Sequence, residues 1–171
     1  MQYYRCAYCE SSLSTKAGRQ EGHIEHFRQR CLYPQGTFDW SNLFGSCNRQ
    51  GSCGKHKDRQ TYDYSHLIKV DDEDPEHFFR FLADGLVLPA DHLSPAERLR
   101  ADETIRVFNL NGPLRQIRKS HLMGYVQTAE EIVSLALEFE DSDWRPLLDE
   151  ELSAISGKPF ETAIRHVLQI P

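Results

Sequence analysis

The chain has 171 residues, enough for one domain or two small ones, and carries a net charge of −6. It contains no apolar run long enough to span a bilayer, and its first residues lack the charged-then-apolar order of a signal peptide. We therefore expect a cytoplasmic protein with no membrane partner, a compartment in which paired cysteine clusters indicate metal binding rather than disulfides.

Charge is divided unevenly along the chain. Residues 1–60 hold nine Lys or Arg against five Asp or Glu, which gives +4. Residues 61–171 hold eleven against twenty-one, which gives −10. The basic part suits a polyanion such as nucleic acid, either DNA or RNA. The acidic part is better suited to solvent or to a protein partner.

All five cysteines lie within the first 53 residues. Four of them form two close pairs, Cys6 with Cys9 and Cys47 with Cys53. Zinc prefers four sulfur or nitrogen ligands in a tetrahedron, so these thiols predict a structural Zn²⁺ site. Competing ligand sets replace Cys53 with His56 or use Cys31. The odd number of cysteines argues against a disulfide framework.

The elements around the cysteines predict a strand–strand–helix unit. Residues 1–9 are expected to be extended with a tight turn at the first pair of cysteines, and residues 23–28 to form a strand. Residues 43–47 lead into the second pair, and a helix is expected to begin near Cys53. Residues 58–76 are polar and predict a linker or an exposed turn.

Residues 77–89 predict a β-hairpin. Two runs rich in apolar residues flank Asp84-Gly85, a strong short-range hairpin signal. The alternative is a helix that continues through Leu82.

The rest of the chain predicts helices. Ser94, Pro95 and Glu97 form the signature of a capping box with proline at the first helical position. That helix should end near Phe108, and a second should run from Pro113 to about residue 139 with Gly124 as a possible kink or break. Two shorter helices are expected at 143–155 and 160–168.

Polar residues between the cysteine pairs could carry hydrolytic chemistry. Phosphodiester hydrolysis needs a base that activates water and a cation that neutralises developing charge. His26 suits the base because the pKa of histidine is near neutrality, and Glu25 beside it could bind a divalent ion. His56 or Asn48 could supply a later ligand, and Asn42 could hydrogen-bond the backbone near His26. The ion would be Mg²⁺ or Mn²⁺.

These residues resemble the motifs of the His-Asn-His (HNH) endonucleases, and in particular the PtuB-type nucleases of Septu and retron anti-phage systems. The resemblance covers most of the chain. It is carried by Cys6-x-x-Cys9, by Ile24-Glu25-His26-Phe27-Arg28, by Trp40-x-Asn42-Leu43-Phe44-x-Ser46-Cys47 and by Cys53-Gly54-x-His56-Lys57.

The resemblance implies a ββα-metal fold around one catalytic divalent ion, with a separate four-cysteine zinc as scaffold. It implies that His26 is the general base, Glu25 the acidic metal ligand, Asn42 the middle asparagine and His56 the last histidine. It also implies a PtuA-like ATPase of the ABC/SMC type as partner.

The sequence thus predicts an α+β protein in three parts: a zinc-stapled HNH module over 1–62, a linker and β-hairpin over 63–93, and a helical support or partner-binding region over 94–171. The expected function is metal-dependent cleavage of nucleic acid, with DNA favoured, within an anti-phage complex. Lys55, Lys57, Arg28 and Arg49 are expected to contact the phosphate backbone through charge. The alternatives are a non-catalytic zinc adaptor that binds protein and a nuclease acting on RNA such as tRNA.

Overall fold

The computed structural model describes residues 2–14 and 21–169. Four short strands and six helices follow one another along this part of the chain. They are β1 (Gly22–His26), β2 (Leu43–Cys47), α1 (Cys53–Lys57), α2 (Pro75–Phe78), β3 (Phe79–Phe81), β4 (Val87–Pro89), α3 (Pro95–Phe108), α4 (Pro113–Glu138), α5 (Asp141–Ala154) and α6 (Glu161–Leu168). The predicted α+β class is confirmed.

The first hairpin joins β1 and β2 in antiparallel register, from Gly22 opposite Cys47 to His26 opposite Leu43. Helix α1 follows directly and packs closely on it. A Cβ atom at Gly54 would lie 2.3 Å from Cγ of Glu25, so this approach requires glycine. The expected order of strand, strand and helix is therefore present. The adjoining segment 2–14 forms turns and one isolated bridge, between Arg5 and Ser12.

The second hairpin, β3 with β4, was also predicted correctly. Gly85 at its tip has a φ of +82°, and a Cβ atom there would lie 2.2 Å from the carbonyl oxygen of Arg115. The buried Arg118 of α4 donates from Nη1 to the carbonyl of Gly85 at 2.5 Å. The tip is thus fixed on α4. A single helical turn, α2, precedes β3, so the competing helix ends at Phe78 and does not reach Leu82.

The capping box at the start of α3 is present. Ser94 accepts from the backbone N–H of Glu97, and the Glu97 carboxylate accepts from that of Ser94. Helix α4 runs unbroken through Gly124, so the possible division of this helix at Gly124 does not occur.

Two clusters of buried apolar side chains form the interior. The first joins the cysteine-rich segment to the second hairpin and α3, and extends to Leu114. The second lies among α4, α5 and α6. Leu67 and Ile68 are almost fully buried in the first cluster. The expectation of a linker or an exposed turn over 58–76 is therefore wrong at these two residues, because the segment covers the α3 side of the core.

Helix α6 returns to the N-terminal segment. The Glu10 carboxylate accepts from the backbone N–H and the hydroxyl of Thr162 at 3.0 and 2.8 Å. Arg5 pairs with Glu161 at 2.9 Å. No helix in the described ranges is both long and apolar enough to cross a membrane.

Candidate metal centre and catalytic cleft

The four predicted cysteines converge on one point. Their sulfur atoms all lie within 4.8 Å of one another, and all four side chains are buried. Sγ of Cys9 is 4.0 Å from Sγ of Cys47, too far for a disulfide. Tetrahedral zinc with bonds of about 2.3 Å needs sulfurs roughly 3.8 Å apart. The donor set therefore fits a structural metal ion such as zinc, held between the 6–9 turn, the end of β2 and the start of α1.

The two competing ligand sets are not supported. Cys31 is exposed. His56 hydrogen-bonds through Nδ1 to the carbonyl of Val107 at 2.8 Å, so it ties α1 to α3. In residues 2–14 and 21–169, the four cysteines are the one group of three or more Cys, His, Asp or Glu arranged to hold a metal ion.

Glu25 lies inside the module, facing α1. Its side chain is 2% exposed and its Oε1 lies 2.6 Å from Nζ of Lys57. Its Oε2 accepts a short hydrogen bond from the hydroxyl of Tyr8, whose ring stacks on Phe108 at 4.0 Å. The carboxylate predicted to bind a catalytic ion thus holds the N-terminal segment and α1 together.

Lys57 occupies a cage of oxygen atoms. Besides Glu25, its Nζ contacts Oδ1 of Asp58 at 2.8 Å, the carbonyl of His26 at 2.9 Å and the hydroxyl of Tyr62 at 3.1 Å. Burial acts to lower the pKa of Lys57, but the two carboxylates outweigh it and raise that pKa. Burial raises the pKa of Glu25, and the Lys57 charge partly offsets this.

The buried position of Lys57 corrects one expectation. The side chain is fully buried, so it cannot contact a phosphate backbone as the sequence suggested. Its charge is neutralised within the module instead.

His26 lies at the end of β1 with one ring nitrogen engaged. Its Nε2 is 2.9 Å from the carbonyl oxygen of Thr37. A carbonyl can only accept, so Nε2 carries a proton, and in the neutral imidazole Nδ1 then holds the lone pair. The backbone contact therefore sets the tautomer in which Nδ1 can accept a proton.

Asn42 organises the loop that follows His26. Its Oδ1 accepts from the backbone N–H of Arg28 at 2.7 Å, and its Nδ2 donates to the carbonyls of Arg28 and Gly36 at 3.2 and 3.1 Å. The side chain is 3% exposed. The expected role of Asn42 as a backbone anchor near His26 matches these contacts.

A surface cleft of about 340 Å³ lies beside these residues. It is lined by His23, Ile24, Glu25, His26, Gln29, Arg30, Cys31 and Asp58. Glu25 and His26 are thus both among the lining residues of this cleft, whereas His56, Asn42 and Asn48 are not. Asn48 lies at the opposite end of the hairpin and donates from Nδ2 to the carbonyl of Gly22 at 3.2 Å.

Sequence reasoning missed several residues that contact Glu25 and Lys57. Tyr8 and Tyr62 were not singled out, because their partners Glu25 and Phe27 are 17 and 35 residues away. Asp58 was not singled out either, although it pairs with its neighbour Lys57. Gly54 gave a weak indication of close packing, since a glycine in the first turn of a helix suggests that another part of the chain approaches the helix closely there. Lys57 was assigned to the surface because lysine is rarely buried without a partner, and its partner Glu25 was given another role.

Comparison with models of known protein families and with curated proteins found no match. The resemblance to HNH endonucleases therefore rests on the motifs themselves.

Proposed function

We propose that this protein is an HNH-type endonuclease that hydrolyses phosphodiester bonds of nucleic acid with the help of a divalent ion. The observation that carries the proposal is the state of His26: it lines a polar cleft, with Nε2 on a backbone carbonyl and Nδ1 left as an acceptor. The resemblance in motifs and the strand–strand–helix unit beside a four-cysteine centre support it.

His26 would act as the general base. Its Nδ1 would take a proton from a water molecule in the cleft, and that water would attack phosphorus in line with the leaving oxygen. Asn42 would hold the loop that carries the Thr37 carbonyl, and so keep the imidazole in the required tautomer. Arg30, which also lines the cleft, would attract the phosphate by charge.

The proposal includes a catalytic ion because the resemblance to HNH endonucleases implies one. Mg²⁺ or Mn²⁺ would supply positive charge for the leaving oxygen. The ligand pair expected from sequence, Glu25 with His56, is not assembled, because Lys57 engages Glu25 and Val107 engages His56. Glu25 and Asp58 are the acidic residues among those that line the cleft, and the proposed chemistry routes no step through an ion at either.

The test is substitution of the base. We expect His26→Ala to fold, to keep its zinc and to lose at least about a hundredfold in cleavage rate, the usual contribution of a positioned base. Nicking of plasmid DNA and cleavage of tRNA would be followed with Mg²⁺ or Mn²⁺, with and without the ATPase partner. Full activity of His26→Ala would refute the assignment. Inactivity of the native protein under all these conditions would favour the zinc adaptor.

Two further histidine variants sharpen this test. His77→Ala, on the half-exposed side chain beside Glu97, is the matched control and should cleave normally. His56→Ala should weaken folding, because it removes the contact with Val107, yet retain cleavage. If His56→Ala keeps its fold and its zinc but loses activity, the role that the resemblance implies for His56 is restored.

The partner remains part of the proposal. A PtuA-like ATPase of the ABC/SMC type, within an anti-phage complex, is what the resemblance implies, and the cytoplasm is the compartment expected from the sequence. Co-purification of this chain with an ATPase encoded beside it would test that association.

A further inference from the structure

The connection between β1 and β2 exposes large apolar side chains to solvent. We call residues 27–42 the aromatic loop. Phe38 is 90% exposed and Trp40 is 86% exposed. Leu32 in the same loop and Ile24 on the outer face of β1 are also exposed. Large apolar side chains exposed within one loop are candidates for a binding surface.

The aromatic loop is fixed next to the cleft. Phe38 directly follows Thr37, whose carbonyl contacts His26. Trp40 begins a single 3-10 turn capped by Asp39, whose Oδ1 accepts from the backbone N–H and hydroxyl of Ser41 at 2.9 and 2.8 Å. The two rings are therefore presented by a hydrogen-bonded backbone and not by packing in the core, which leaves their faces free for a ligand.

Cationic side chains lie in the same loop. The guanidinium of Arg28 lies over two tyrosine rings, 4.9 Å from the centroid of Tyr33 and 4.3 Å from that of Tyr64. Arg30 lines the cleft itself. The one acid of the loop, Asp39, is engaged in the cap. The surface thus combines free aromatic faces with fixed positive charge.

We infer that the aromatic loop binds single-stranded nucleic acid. Phe38 and Trp40 would stack on unpaired bases, and Arg28 and Arg30 would contact the phosphates on either side. In a duplex the base faces are covered by neighbouring bases, so these rings could reach bases only in single strands, loops or frayed ends. Aromatic stacking beside a cationic groove is the usual way that proteins hold such strands. This inference rests on the proposed function, since it specifies the form of the substrate for the same cleft.

The chain provides its own probe for this interaction. It has two tryptophans, and Trp144 is buried in α5, so the Trp144→Phe variant leaves Trp40 as the sole reporter. We expect oligo(dT) and oligo(rU) of 20 nucleotides to quench its fluorescence, in buffer without divalent ions. A 20-base-pair duplex should bind roughly tenfold more weakly. The quenching by oligo(dT) and that by oligo(rU) also compare binding of DNA with binding of RNA.

Single variants of the aromatic loop test the same binding in the zinc-loaded chain, without the Trp144→Phe change. Anisotropy of labelled oligo(dT) should show binding weakened about tenfold by Phe38→Ala and by Trp40→Ala. Phe139→Ala, at the half-exposed phenylalanine just after α4, is the matched control and should bind normally.

The inference is overturned if duplex and single strand bind equally, or if the loop variants bind as the native chain does. Absence of any oligonucleotide binding also overturns it and assigns the surface to a protein partner. The proposed function fails separately: it is refuted if His26→Ala cleaves normally, whatever the binding of oligo(dT) to the native chain. If His26→Ala cleaves normally while binding still depends on Phe38, His26 is not the general base, and the inference about the aromatic loop stands.

Discussion

At the scale of single residues, the main surprise is the pairing of Glu25 with Lys57. Both side chains are almost completely excluded from solvent, at 2% and 0% exposure. Two buried charges are tolerated only when each satisfies the other and further hydrogen bonds complete the set. Here Tyr8, Tyr62 and the His26 carbonyl complete it. The pair therefore fixes the position of β1, and with it the backbone that carries His26.

This arrangement predicts a non-additive double-mutant cycle. Lys57→Met leaves the Glu25 carboxylate buried without its cation and should lower the free energy of unfolding by about 3–5 kcal/mol. The double variant Glu25→Gln/Lys57→Met removes both charges and should cost less than the two single variants summed. Urea unfolding of the zinc-loaded proteins would measure each change. Additive losses would mean that the two charges do not depend on each other.

At the scale of elements, the second hairpin is bound to α6 through one histidine. Nδ1 of His166 accepts from the backbone N–H of Phe81 at 3.0 Å, and the imidazole lies against the Phe81 ring. Only an unprotonated Nδ1 can accept, so the contact requires neutral His166. Burial lowers the pKa of His166 below its ordinary value of 6.5, and the Glu76 carboxylate acts in the opposite direction.

The contact predicts a loss of stability in mild acid. A pKa that is lower in the folded state means that the unfolded chain binds more protons. The stability that neutral His166 contributes is fully present above about pH 6.5 and is lost as the pH falls toward the lowered pKa. In His166→Asn the amide Oδ1 can accept the same hydrogen bond without titrating. The free energy of unfolding should therefore fall less between pH 7 and pH 5 in this variant, and parallel profiles would contradict the prediction.

Local signals explain which elements could be predicted. Capping at Ser94 and the Asp84-Gly85 turn depend on residues close in sequence, so the start of α3 and the second hairpin were both predicted correctly. The four cysteines could be predicted as a cluster because metal chemistry constrains their type and spacing. The burial of Leu67 and Ile68 depends on α3, which follows much later, and no local pattern indicated it.

The candidate site could also be predicted only where its contacts are local in the sequence. His26 could be picked from its motif, and Asn42 from its capacity to bond the backbone. The environment of Glu25 could not be predicted, because Tyr8 lies 17 residues before it in the chain and Lys57 lies 32 residues after it. The same carboxylate beside a histidine fits a metal ligand or a buried ion pair, and only the packing of α1 decides between them.

At the scale of the whole molecule, the cysteine centre is the junction of the described chain. Its four side chains belong to the same buried cluster as the second hairpin and α3. The segment that carries Cys6 and Cys9 also contacts the residue that precedes α6, since the backbone N–H of Phe160 donates to the carbonyl of Glu10 at 3.1 Å. The three regions expected from sequence are thus in mutual contact through this centre, and a metal bound there would stabilise more than the first 62 residues.

This connection predicts a global response to loss of metal. We expect one Zn²⁺ per chain, and removal by a chelator should lower the melting temperature of the whole protein, helices included, because binding to the folded state alone adds directly to its stability. Cys53→Ser should abolish the bound zinc and reproduce the effect, whereas Cys31→Ser, at the exposed thiol, should do neither. Zinc content by atomic emission, with far-UV circular dichroism on heating, would measure both. A helical signal that melts at the same temperature with and without zinc would show that α3–α6 fold independently of the centre. The two buried clusters would then be separate folding units, in spite of the contacts that Glu10 makes with Phe160 and Thr162.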